Sequence, residues 1–179
     1  MQLREESFHG FHLDPMNGRW FLPPPGYVKL NVDGSVINGN ATYGGVLRDH
    51  EGNWVWGFTG SCGHSSPLAA ELLALKEGLV AVLNNRCLCV IIESDSSIAV
   101  QLINGYPEEN HPFMHIILEC KSLFRRIWSC SITYVPRNYN NSADCIAKLG
   151  HTICSLGESV WFNEPPSSLL EVLRGDNIM

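Results

Sequence analysis

The chain has 179 residues, 45 % of them apolar, and a formal net charge of −6. That length fits one domain with room for tails, and the apolar fraction suffices for one core of ordinary size. No apolar run approaches the roughly 18 residues of a membrane span, the start Met1-Gln-Leu-Arg-Glu-Glu6 carries no apolar signal segment, and the acidic balance argues against strong non-specific binding to nucleic acid.

Seven cysteines at irregular spacing, without a Cys-x-x-Cys pair, read as free, buried thiols in a reducing compartment. The histidines make no metal-binding helical pair; His111 and His115 are expected on the surface or in loops.

Residues 1–26 read as a tail, with Pro23-Pro-Pro-Gly26 a stiff lead-in and with Trp20 and Phe21 as residues to dock it on the domain. From Tyr27 to Asp33 the chain alternates: Val28, Leu30 and Val32 face one side, Lys29, Asn31 and Asp33 the other. Strands are expected at 41–48 and 53–59, joined by a turn with Gly52, giving an antiparallel meander. Leu68, Leu72, Leu75, Leu79, Val82 and Leu83 recur at helical spacing over Pro67–Asn84, with Ser65 or Ser66 as cap and Pro67 in the first turn.

Cys87–Glu93 is a continuous apolar strand, the pattern of a strand covered on both faces. A short helix at 96–104, a helix at 112–127, a strand at 131–135 and a helix at 142–156 follow. Residues 157–179 read as a docking appendage. The order β-β-β-α-β-α-α-β-α implies an α/β domain over 27–156, with a mixed five-stranded sheet and helices on both faces. Strands one, four and five form its parallel part, so that Asp33 and Asp95 end neighbouring strands at the edge where such sheets carry function.

Four carboxylates stand in contexts that aim them at one place. Asp33 precedes Gly34-Ser35, Asp95 ends the apolar strand, Glu71 has apolar neighbours on both sides in the first turns of a helix, and Asp144 opens the last helix. Each has an ordinary alternative: a turn Asp, a helix cap, a solvated helix Glu, a first-turn Asp favoured by the helix dipole. Hard oxygen ligands drawn from separate elements suit Mg²⁺, and two such ions about 4 Å apart cleave phosphodiesters without a protein nucleophile. Glu93 shares a strand face with Asp95, either orienting the site or, as we favour, pairing with a nearby Lys or Arg.

The words Lys29-Leu-Asn-Val-Asp-Gly-Ser35, Gly44-Gly-Val-Leu-Arg-Asp49, Ala70-Glu-Leu-Leu-Ala-Leu75, Glu93-Ser-Asp-Ser96, Val135-Pro-Arg-Asn138 and Asn141-Ser-Ala-Asp144, in this order, resemble the ribonuclease H family. They are closest to the reverse-transcriptase-like ribonuclease H domain of plant retroelements. The resemblance covers residues 27–150 and implies a ribonuclease H-like fold and hydrolysis of the RNA strand of an RNA–DNA hybrid. It implies Asp33, Glu71, Asp95 and Asp144 as catalytic residues and ligands of two Mg²⁺ ions, with Mn²⁺ as a substitute. It implies hybrid contacts from Asn38 and Asn40 after the first strand, Ser65 and Ser66 before the glutamate helix, and Arg137.

Two departures stand out. No histidine precedes the last aspartate, where Arg137 stands instead, and Arg cannot shuttle a proton. The stretch that carries a basic protrusion in many members is here the acidic Asn104-Gly-Tyr-Pro-Glu-Glu-Asn-His-Pro112. The basic candidates are then Lys121, Arg125, Arg126, Arg137 and Lys148, with Arg125-Arg126 read as a solvated face. A nucleic-acid-binding or interaction module with a vestigial site is the competing expectation; a resolvase-type nuclease fits the words less well. A monomer is expected, in the nucleus or the cytoplasm, with a longer polyprotein as one source of substrate-holding domains.

Overall fold

The computed structural model describes residues 20–176. Its strands are β1 (Val28–Ile37), β2 (Asn40–Arg48), β3 (Trp54–His64), β4 (Cys89–Ser94), β5 (Ser129–Tyr134) and β6 (Ser159–Phe162). Its helices are α1 (Pro67–Asn84), α2 (Ser97–Asn104), α3 (Met114–Phe124), α4 (Asn141–Ile153) and α5 (Leu170–Asp176).

The strands form one mixed sheet in the order β5-β4-β1-β2-β3-β6. β1, β4 and β5 are parallel, as expected, and β2, β3 and β6 extend the sheet antiparallel. The sheet therefore has six strands where the sequence suggested five. Ser159–Phe162 pairs with Gly57–Gly60 of β3, and Trp161 packs its ring on Phe58 at 5.3 Å and on Trp56 at 5.8 Å.

β1 also runs beyond Asp33 to Ile37, because the two-residue turn Asn38-Gly39 folds β2 straight back, Ile37 facing Asn40. Both turn residues have positive φ, 51° and 80°, the backbone of a tight hairpin, for which Asn-Gly is a preferred pair. α3 is shorter than the expected 112–127, and α4 ends three residues before Leu156.

The alternation along β1 sets the two layers. Leu30 and Val32 are closed from solvent against α1 and join Leu47, Phe58, Leu72, Leu75, Leu79, Ile92 and Ile117 in the main core. Each such side chain contributes about 1.5–3 kcal/mol by leaving water. α4 covers the other face, mainly over β1, β2 and β3, with a small core of Val46, Ile146 and Leu169. The expectation that β4 is covered on both faces needs correction: Val90 and Ile92 are buried, but Cys89 and Ile91 are only half-buried, since α4 lies over β1, β2 and β3. All seven cysteines are free thiols, but against the expectation only Cys120 is buried and the other six are half-buried.

Candidate active site

Parallel pairing of β1 with β4 puts Val32 beside Ser94. Asp33, the next residue of β1, and Asp95, just past the end of β4, therefore stand side by side where the parallel pairing stops, the place where α/β sheets bind ligands. Ser96 caps α2, accepting from the Ala99 N–H at 3.3 Å. Ser96 rather than Asp95 fills the capping role, which leaves the Asp95 carboxylate available.

Glu71 is brought in by the close approach of α1. A Cβ at Gly34 would lie 2.6 Å from backbone atoms of Ala70 and Glu71, so only glycine lets the helix rest on the strand there. The Gly34 N–H then donates to the Glu71 carboxylate at 3.2 Å. On the opposite face Gly44, the cross-strand partner of Asp33, allows the same closeness to α4, where an added Cβ would meet Ala147 N at 2.8 Å.

One carboxylate oxygen from each of Asp33, Glu71 and Asp95 lies within 4.8 Å of the others. Oxygens on opposite sides of an octahedral Mg²⁺ are about 4 Å apart, so small rotations of these side chains suit such an ion. The electrostatics fit as well. Burial, then the charges of Glu71 and Asp95, push the Asp33 carboxyl up to about 10. Burial, then Asp95, push Glu71 up to about 8. Buried carboxylates crowded together retain protons unless a cation replaces them, and this donor set of hard oxygens is one that a divalent metal takes.

Asp144 stands apart from that trio. It opens α4 in the first turn, near enough to raise Asp33 further, but its oxygens meet Arg137 at 3.3 Å and Lys148 at 2.6 Å. Both cations are exposed, so the two ion pairs are weak latches.

Two of the segments named for nucleic-acid contact, the β1–β2 turn and the one before α1, adjoin each other. Asn38 and Asn40 are exposed in the β1–β2 turn, Asn40 pairs with His64, and the Ser65 N–H donates to Gly39 O at 2.9 Å. The Ser66 hydroxyl caps α1, accepting from Ala69 N at 3.2 Å. Arg137 is exposed in a short 3-10 turn before α4.

Glu93 forms the favoured ion pair, with Lys29 at 2.7 Å, and also accepts from Asn31 Nδ2 at 2.9 Å. Sequence reasoning passed over the other polar residues on this face. Asn31, Arg48, Asn140 and Ser142 are all fully buried, and His151 Nε2 lies 3.1 Å from Ser35 Oγ and 3.0 Å from Thr42 Oγ1. The available signal was the run of alternate polar residues, Lys29, Asn31, Asp33 and Ser35, in an otherwise closed strand.

Comparisons with known proteins agree with this architecture. The family described as reverse transcriptase-like matches residues 31–150. An Arabidopsis thaliana protein named Putative ribonuclease H protein At1g65750 is 32 % identical over 161 residues, which is 89 % of this chain and 26 % of that protein. The chain thus spans about a quarter of that relative's length.

Among solved structures, RNase H1 of the halophilic archaeon Halobacterium salinarum superposes with a TM-score of 0.66 at 25 % identity, covering 70 % of this chain and 98 % of the other. The N-terminal RNase H domain of a Mycobacterium tuberculosis protein gives 0.65 at 22 % identity, over 70 % and 94 %. LC11-RNase H1, solved in complex with an RNA/DNA hybrid, gives 0.62 at 18 %, over 68 % and 94 %. The chain belongs to the reverse transcriptase-like family and has a ribonuclease H fold.

Proposed function

We propose that this chain is a divalent-metal-dependent endonuclease that hydrolyses the RNA strand of an RNA–DNA hybrid. The observation that carries this reading is the convergence of Asp33, Glu71 and Asp95 where the parallel β1–β4 pairing ends. The names of the Arabidopsis relative and of the solved RNase H1 proteins support the choice of chemistry and substrate.

Asp33, Glu71 and Asp95 would hold Mg²⁺, or Mn²⁺ in its place, and Asp144 would complete a second position once Arg137 turns toward a phosphate. Bound metal supplies an activated water and neutralises charge on the phosphate and the leaving oxygen. The chain's own residues do the rest. Glu71 is held at the site by the Gly34 N–H. Asp95 stands beside Asp33, placed to orient the attacking water. Asn38, Asn40 and Ser66, which are exposed, and the half-buried Ser65 would meet the sugar-phosphate backbones, where 2′-hydroxyls distinguish the RNA strand. Arg137 offers a fixed positive charge but no proton, so proton delivery to the leaving oxygen falls to solvent and turnover is slow.

The acidic surface and the two cations on Asp144 favour a second reading, a binding module with a vestigial site. Strand-labelled hybrid in Mg²⁺ and then Mn²⁺ at low salt, beside the Asp33→Asn variant, separates the two. RNA-strand cleavage lost in the variant supports the nuclease. Binding without cleavage in either metal supports the module.

A further inference from the structure

Behind the carboxylates, the α4 face of the sheet holds a closed chain of polar contacts that joins both ends of the described chain to the site. Asn140 is its hinge. Its carbonyl accepts from the Asp144 N–H at 3.1 Å, and its Nδ2 donates at 2.9 Å to the carbonyl of Val32, the residue before Asp33. One fully buried side chain thus ties the backbone of Asp33 to the helix that bears Asp144.

Asn140 is in turn oriented by Asn31, whose Nδ2 donates to Asn140 Oδ1 at 3.1 Å and to Glu93 Oε2 at 2.9 Å. Asn31 Oδ1 accepts from Trp20 Nε1 at 2.7 Å and from Arg48 Nη2 at 3.2 Å. Every donor and acceptor position of that amide is used, so it has one orientation. The Arg48 guanidinium lies 3.5 Å from the centre of the Trp20 ring, reaches Ser142 Oγ at 3.1 Å, and pairs with Asp176 at 2.8 Å. Phe21 stacks on Tyr139, one residue before Asn140, with ring centroids 5.8 Å apart.

A fully buried arginine is rare without a paired role, and here it spans segments from opposite ends of the sequence. We propose that Asn140 is a positioning residue that sets the separation of Asp33 and Asp144, held in orientation by an Arg48 clasp closed by Trp20 and Asp176.

The inference rests on the nuclease reading for its kinetic consequence, but its first consequence is metal affinity. The test uses the full chain and two variants. Asn140→Ala removes both side-chain hydrogen bonds without adding charge, and Trp20→Phe keeps a ring on Arg48 but removes the donor to Asn31. Mn²⁺ affinity is read by titration, hybrid cleavage as kcat and KM, and folding by circular dichroism and melting. In Asn140→Ala both Mn²⁺ affinity and kcat fall about 10–100-fold, the range for groups that orient metal ligands. KM stays within about twofold, since no substrate contact is removed. Trp20→Phe, a step further away, moves the same quantities in the same direction by less.

Wild-type Mn²⁺ affinity in a folded Asn140→Ala protein overturns the proposal. So do losses that disappear once corrected for the fraction folded, which would mark a purely structural residue. If the unsubstituted chain binds Mn²⁺ but cleaves no hybrid, the nuclease reading fails by itself, and Mn²⁺ affinity alone then decides the role of Asn140.

Discussion

On the α1 side of the sheet, β1 and β2 present Leu30, Val32 and Leu47, all fully buried, to a continuous apolar core. On the α4 side the same strands present Lys29, Asn31, Asp33, Ser35, Thr42 and Arg48, all buried and most of them hydrogen-bonded. One face draws on the hydrophobic effect, which is non-directional and tolerant of small shifts. The other depends on hydrogen bonds and ion pairs, which fix direction and cost free energy when a partner is missing. Stability is thus concentrated on one side of β1 and placement on the other. Asp33 lies where the polar face passes the end of the β1–β4 pairing.

Asp33→Asn should have the largest effect on the polar face. Hybrid cleavage should fall about 1000-fold or more, on the order of 4 kcal/mol of transition-state stabilisation, while the metal-free protein melts higher. The sign follows from the raised carboxyl values of Asp33 and Glu71. Both groups hold a proton more tightly folded than unfolded. Their contribution to stability is therefore full below the unfolded pKa of about 4 and is lost as pH rises through the raised folded values. Melting curves without metal from pH 5 to pH 9 should decline with pH, and less steeply in the variant. A flat wild-type profile contradicts the crowding of these carboxylates.

The apolar face gives the converse. Leu79→Ala should cost about 2–5 kcal/mol in denaturant unfolding and leave kcat per folded molecule unchanged. A matching drop in kcat would mean that the two faces do not separate.

Gly34→Ala joins both effects. The added Cβ forces α1 away, at about 1–3 kcal/mol, and withdraws Glu71, so that activity should fall by more than the folded fraction does. Smallest is Lys148→Ala, which removes an exposed ion pair worth about 0.2–1 kcal/mol. Unfolding should barely register it, while Mn²⁺ affinity should rise slightly as Asp144 is released. Weaker Mn²⁺ binding there would show that the lysine supports the site rather than competing for it.

The apolar side of this fold was legible because burial leaves a period in the sequence. Leu30 and Val32 in a two-residue repeat, and Leu68 to Leu83 in a helical one, located β1 and α1, and from them the parallel β1–β4 pair. The carboxylate trio was legible because Asp33-Gly34, Glu71 among leucines, and Asp95-Ser96 each break a local pattern.

Other features left weaker marks. Ser159–Phe162 is too short to carry an alternation and becomes a strand only because the edge of β3 is open to it. β1 seemed to stop at Asp33-Gly34, since that pair reads as a turn; the true turn, Asn38-Gly39, was weighed only for substrate contact. Arg48 only closed the second expected strand: its partners Trp20 and Asp176 lie 28 and 128 positions away. No local pattern encodes such pairings. The ion pairs of Asp144 with Arg137 and Lys148 were equally hidden, although the Lys148 pair sits at helical i,i+4 spacing.

The proposed metal site stands on Asp33, Glu71 and Asp95 acting together. Calorimetric titration of Mn²⁺ into the full chain and into Asp33→Asn at neutral pH tests it most directly. Saturable binding by the wild type, lost in a variant that folds and melts at least as high, is the predicted result. Equal Mn²⁺ affinity in both proteins would contradict it.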